Sequence, residues 1–143
     1  MSAHVSMVSL GVKDLQRSKA FYEALAWRNT TATQPTIIFL QGHNLVLGLY
    51  GREPLAKDAG VSPDGEGFRG IALCVNLPDE GAVDAFHARA IEAGAAAIKM
   101  PQKVFWGGYS GYFSDPDGHL WEVAHNPFAP LDETGAMRLE AFS

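Results

Sequence analysis

The sequence predicts an α+β fold made of two copies of one strand–helix–three-strand (βαβββ) module. The same order of elements runs twice through the 143 residues, and an internal repeat of that kind decides the architecture before anything else. A Gly-His pair opens the last strand of each copy, Gly42-His43 before "NLVLGLY" and Gly118-His119 before "LWEVAH". The strands that can be phased each pair one strongly apolar face with one lightly lined face. That pattern predicts curved sheets with helices outside and a cavity within.

In the first copy, "VSMVSLGV" (5–12) alternates, with Val8, Leu10 and Val12 on one face and Met7, Ser9 and Gly11 on the other, as a half-buried strand does. Asp14 stands at a helix N-cap and opens "LQRSKAFYEAL", whose Leu15, Ser18, Phe21, Tyr22 and Leu25 recur at helical spacing. A strand in "WRNTTA" and a hairpin of "TIIFLQ" and "NLVLGLY" complete the copy. The domain reading is a first module at 1–51 and a linker at 52–67, where Pro, Gly and Asp occur without periodicity. A second module at 68–126 and a tail at 127–143 follow, all as one folded unit.

In the second copy, "GIALCVN" alternates Ile71, Leu73 and Val75 against Gly70, Ala72, Cys74 and Asn76. "PDEGAVDAFHARAIEAG" reads as a helix with Asp79 near its start, Val83, Phe86, Ala90 and Ile91 along its face, and Gly94 at its end. "AAIKM", "GYSGYFS" and "HLWEVAH" supply three more strands. Aligning the Gly-His pairs without a gap sets Val46 against Glu122. It puts Val46, Gly48 and Tyr50 on the face shared by Glu122 and Ala124.

With 47% hydrophobic and 19% charged residues the composition is that of an ordinary globular chain. A net charge of −5 and the lack of a Lys/Arg cluster exclude a general nucleic-acid binder. Cys74 is the only cysteine, which excludes an intrachain disulfide and a cysteine-based zinc site. No signal peptide or membrane-length apolar run is visible. A soluble cytoplasmic protein, bound neither to nucleic acid nor to membrane, is expected.

"DLQRSKAFYEAL" after a first strand and "YFSDPDGHLWEVAHNP" near the end resemble the vicinal oxygen chelate superfamily. That superfamily contains glyoxalase I, extradiol dioxygenases, and fosfomycin- and bleomycin-resistance proteins. The resemblance spans about residues 5 to 126. It implies paired βαβββ modules forming an open, cup-shaped barrel, the glyoxalase/bleomycin-resistance-like fold, and a homodimer whose subunits can complete each other's cup. In metal-dependent members, strands one and four of each module supply the metal ligands. Carried over, those positions are Met7, Val46, Gly70 and Glu122, of which only Glu122 suits a hard or borderline divalent ion. No cofactor is expected, and a divalent metal is not expected either.

Glu122 is the leading site residue, read as a general acid or base, a ligand-binding charge, or the partner of a base such as Arg28 or Arg69. The wider ligand-binding set is Met7, Phe39, Val46, Tyr50, Gly70, Trp106, Tyr109, Tyr112 and Glu122, with the aromatics suited to a flat ligand. Cys74 shares the Glu122 face and reads as a small buried hydrophobe or a reactive thiol. No His pair has metal spacing, and no Ser/His/Asp or Cys/His constellation is present. The leading functional reading is a metal-independent binder of a small organic molecule. The alternative is a glyoxalase-like lyase or isomerase with Glu122 as base, and a third is a metal enzyme with non-standard ligands.

Overall fold

The computed structural model describes residues 4–139, which divide into two compact units between Arg69 and Gly70. The first contains β1 (Met7–Val12), α1 (Leu15–Ala24), β2 (Arg28–Asn29), β3 (Ile37–Gln41), β4 (Val46–Gly51) and α2 (Arg52–Ala59). The second contains β5 (Leu73–Asn76), α3 (Glu80–Glu92), β6 (Ala96–Lys103), β7 (Tyr109–Ser114) and β8 (Leu120–His125). Each holds one four-stranded sheet, in the orders β1-β4-β3-β2 and β5-β8-β7-β6. The first and last strands of each module lie side by side and parallel, and the remaining pairs are antiparallel.

In the first unit the Asp14 carboxylate accepts the Arg17 backbone N–H at 3.0 Å, capping α1. The helix buries Ser18, Phe21 and Tyr22, with the two rings edge-to-face at 4.9 Å. Leu10, Val12, Ile38, Leu40, Leu47 and Leu49 form the buried layer of the sheet. The strand expected in "WRNTTA" shortens to two residues.

The segment read as a linker begins with a helix, α2, ended by Gly60 in the left-handed region. Its eight residues bury only Ala56, so no apolar repeat marked it in the sequence. Arg52 holds the following chain against it, donating to the carbonyls of Pro63 at 2.8 Å and Gly65 at 2.7 Å.

In the second unit, β5 covers only the end of the alternating stretch "GIALCVN". Ile71, expected on the buried face, lies before the strand and is 63% exposed. Asp79 caps α3, accepting from Ala82 N–H at 2.7 Å. The helix buries Val83, His87 and Ala90, whereas Ile91, expected on that face, is exposed. His87 takes the inward place because its Nε2 meets the Tyr112 carbonyl at 3.0 Å, which supplies the partner a buried imidazole needs. Its ring stands edge-on to Phe113, which stacks on Trp121 at a 3° interplanar angle. The β7–β8 turn is held by the buried Asp115 carboxylate, which accepts from the N–H groups of Asp117 and His119. No helix among the described residues is long and apolar enough to cross a membrane.

Candidate functional site

Two features of the second sheet bring the candidate residues together. The first is the ladder. Cys74 faces Glu122 across the β5–β8 pair, Tyr112 faces Glu122 across β7–β8, and Lys99 faces Tyr112 across β6–β7. One row therefore crosses four strands in the order thiol, carboxylate, phenol and ammonium. The second is a pair of irregularities in β6, between Ala97 and Lys99 and between Lys99 and Gln102. They let Lys99 and Gln102 pair with Tyr112 and Ser110, both on the Glu122 face. Strict alternation would send two residues three apart to opposite faces.

Pro101 sits in this irregular stretch of an edge strand, where a missing N–H is tolerated. Gly111 makes room for it, since a Cβ there would stand 2.8 Å from both the Lys99 carbonyl oxygen and the Pro101 nitrogen.

A concavity of about 310 Å³ opens over this face, lined by Lys99, Gln102, Phe105, Trp106, Tyr112 and Glu122 among others. Glu122 is half-buried, and among the described residues no lysine or arginine of its own unit forms an ion pair with it. Its neighbours are neutral donors. The Cys74 thiol is pushed up to about 12, chiefly by burial, then by the Glu122 charge and a hydrogen bond to it. Solvent still reaches one side of the residue, and its sulfur also lies 3.7 Å from Asn76 Oδ1. The Tyr112 hydroxyl is raised above its usual value by burial first and then by Glu122 and Cys74. Both groups stay protonated at neutral pH beside the carboxylate.

Trp106 and Tyr112 thus share the Glu122 concavity. Tyr109 does not: alternation along β7 turns it to the helix side, where its hydroxyl donates to Asp84 at 2.7 Å. Gly70 also leaves the set. It precedes β5, with φ +73°, and the residue opposite Glu122 is Cys74, as Met7 is opposite Val46. Residues 70 and 74 have the same parity, so alternation identified the face but not the position along the strand. In the first unit Met7, Phe39, Val46 and Tyr50 lie on one face of their own sheet, each paired through the ladder with residues of that face.

Lys99 and Gln102 were missed because the β6 irregularities break the periodicity that would have revealed them. The sequence signal for them was Pro101 within a strand opposite Gly111. Arg69, considered as a partner for Glu122, donates instead to the Gly65 carbonyl at 3.2 Å. Among the described residues no group of three or more His, Cys, Asp or Glu side chains could hold a metal ion.

Comparison with known proteins fits this architecture. The family model for the Glyoxalase/Bleomycin resistance protein/Dioxygenase superfamily matches residues 3–123. A glyoxalase-related enzyme from Fulvimarina pelagi is similar at 33% identity and a TM-score of 0.86, over 96% of this chain and 99% of that one. A glyoxalase/bleomycin resistance protein/dioxygenase family enzyme from Burkholderia phytofirmans PsJN shares the fold at 24% identity, TM-score 0.76, over 86% and 98%. A lactoylglutathione lyase from Agrobacterium tumefaciens shares it at 20% identity, TM-score 0.67, over 88% and 96%. No curated protein matches the chain significantly. By the extent of the family match, and by its likeness to the Fulvimarina protein, the chain belongs to the Glyoxalase/Bleomycin resistance protein/Dioxygenase superfamily.

Proposed function

We propose that the protein binds a small organic molecule at the Glu122 concavity without a metal. The observation that carries this reading is the row Cys74–Glu122–Tyr112, in which a carboxylate stands between two protonated, neutral groups beside an open cavity. A carboxylate in that setting keeps its charge available to a ligand. The donor chemistry also supports it. A catalytic divalent ion usually takes three protein ligands and keeps one open position. This row offers one hard donor and a thiol held in its protonated form. The volume lies near the lower end for small-molecule sites, about 300–1,000 Å³, which points to a compact ligand.

A second reading, a lyase or isomerase with Glu122 as base, is favoured by Tyr112. A protonated phenol beside the base is suited to donate to an oxyanion developing on a substrate carbonyl while Glu122 takes the adjacent carbon-bound proton. A homodimer is part of the proposal as well, supported by the exposed apolar side chains Ile98 and Met100 on β6.

The test is metal content and divalent-metal affinity of the tag-free protein beside Glu122→Gln, followed by ligand screening of metal-stripped protein. Binding that survives metal removal and weakens in Glu122→Gln is expected. Stoichiometric metal held by the native protein and lost in the variant would overturn the metal-free reading. Turnover of a bound compound that falls by orders of magnitude in the variant would favour the second reading. Sedimentation of the native chain tests the dimer.

A further inference from the structure

The two ends of the row carry opposite charge and do not neutralise each other. Lys99 and Glu122 stand on strands separated by β7, about 10 Å apart at two interstrand spacings. Tyr112 lies between them. Lys99 has no ion-pair partner among the described residues, whereas Lys103, at the end of the same strand, is engaged by Glu80 at 3.6 Å. Gln102 adds a neutral donor on the Lys99 side, and Phe105 and Trp106 supply aromatic surface.

We infer that the ligand is a small bipolar acid, with an anionic group at Lys99 and Gln102 and a hydrogen-bond donor, ammonium or hydroxyl, at Glu122. The inference rests on the binding reading above and narrows its ligand class. A purely cationic ligand would satisfy Glu122 but would place its charge in the cavity that Lys99 lines. A purely anionic one would meet Lys99 but leave Glu122 facing it. A molecule carrying both groups satisfies both ends, and its apolar portion can cover Trp106.

The sequence did not expose this arrangement, because Lys99 joins the face only through the β6 irregularity. The matching place in the first unit is Arg28. It pairs with Gln41, which pairs with Val46, so that row has a cation at its edge and no carboxylate.

A matched series tests the inference on the whole metal-stripped chain: phenylalanine, 3-phenylpropionate, phenethylamine and 3-phenylpropanol, followed by Trp fluorescence and calorimetry. Phenylalanine is expected to bind tightest. Lys99→Ala should weaken phenylalanine and phenylpropionate about tenfold while leaving phenethylamine unchanged or improved, the size of one charge-assisted hydrogen bond. Glu122→Gln should weaken phenylalanine and phenethylamine by a similar factor. The Lys99 effect should shrink with added salt, because that lysine is exposed.

Glu122-dependent binding with no preference for the bipolar compound, or with no response to Lys99→Ala, overturns the inference and leaves the binding reading standing. Absence of Glu122-dependent binding across the series overturns the inference. Its extension to the wider ligand screen above would bring down the binding reading too. Circular dichroism of both variants separates lost contacts from lost folding.

Discussion

The two sheets have the same strand order but different chemistry on their open faces. In the first, the row opposite Val46 runs Met7, Val46, Gln41, Arg28. In the second, the equivalent row runs Cys74, Glu122, Tyr112, Lys99. The helix-facing layers differ less, with Leu47 and Val123 equivalent and both fully buried. The duplicated frame is set by hydrophobic burial, which both copies satisfy. The residue types along this one four-residue row differ between the copies without disturbing that frame.

The sharpest departure in the buried layer is at Leu40, which is fully buried. Its equivalent by register is Gly111, which faces the backbone of β6 instead of filling space with a side chain. Leu40→Ala should cost about 2–5 kcal/mol through the cavity it leaves, measured by urea denaturation. A loss below about 1 kcal/mol would show that the first sheet is not packed as described.

The thiol of Cys74, raised from the usual 9.0 to about 12, should alkylate at least about a hundredfold more slowly at neutral pH than a free cysteine. Glu122→Gln removes a charge that raises it, so alkylation should speed up and its pH midpoint should fall. An unchanged profile would separate Cys74 from Glu122 and break the row. The same shift has a sign in stability. The folded protein holds this proton more tightly than the unfolded chain, so the contribution is whole below about pH 9 and is lost as pH rises toward 12. Cys74→Ser should flatten that alkaline decline.

Gly111→Ala makes the opposite change to Leu40→Ala at the equivalent place. Forcing a methyl against the Lys99 and Pro101 backbone should cost about 1–3 kcal/mol. It should also shift the β6 amide resonances. Gly48 has only the Met7 and Ser9 side chains 3.2 Å from a prospective Cβ, and these can move, so Gly48→Ala should cost less. Equal losses would argue that β6 can adjust as readily as a side chain.

The smallest effects should be the most alike. Asp14→Ala and Asp79→Ala each remove an equivalent N-cap and should each cost about 1 kcal/mol. A large disparity would mean that one helix depends on its cap much more than the other.

Much of the frame was legible because its signals are local. Asp14 and Asp79 sit where caps belong, and Val8, Leu10 and Val12 separate cleanly from Met7, Ser9 and Gly11. The Gly-His alignment set Val46 and Glu122 in equivalent positions, which the ladders share. Legibility failed where position along a strand, rather than parity, decided the outcome. Gly70 had the parity of Cys74 but lies before the strand. Tyr109 was grouped with Tyr112 because the two are close in sequence, although their odd separation puts them on opposite faces. Lys99 and Gln102 were hidden by irregularities that only the pairing of β6 with β7 reveals. Helix α2 carried too little apolar surface to mark itself.

The irregular stretch at Pro101 has a consequence for solubility. The outer edge of β6 offers main-chain donors and acceptors beside the exposed Ile98 and Met100, a combination that invites edge-to-edge aggregation. Pro101 removes one N–H from that edge, and the break in register keeps it from presenting a straight, evenly spaced template. Replacing Pro101 with a β-branched residue and regularising the strand would therefore create an adhesive edge, and the harm would appear first as precipitation of a protein that still folds.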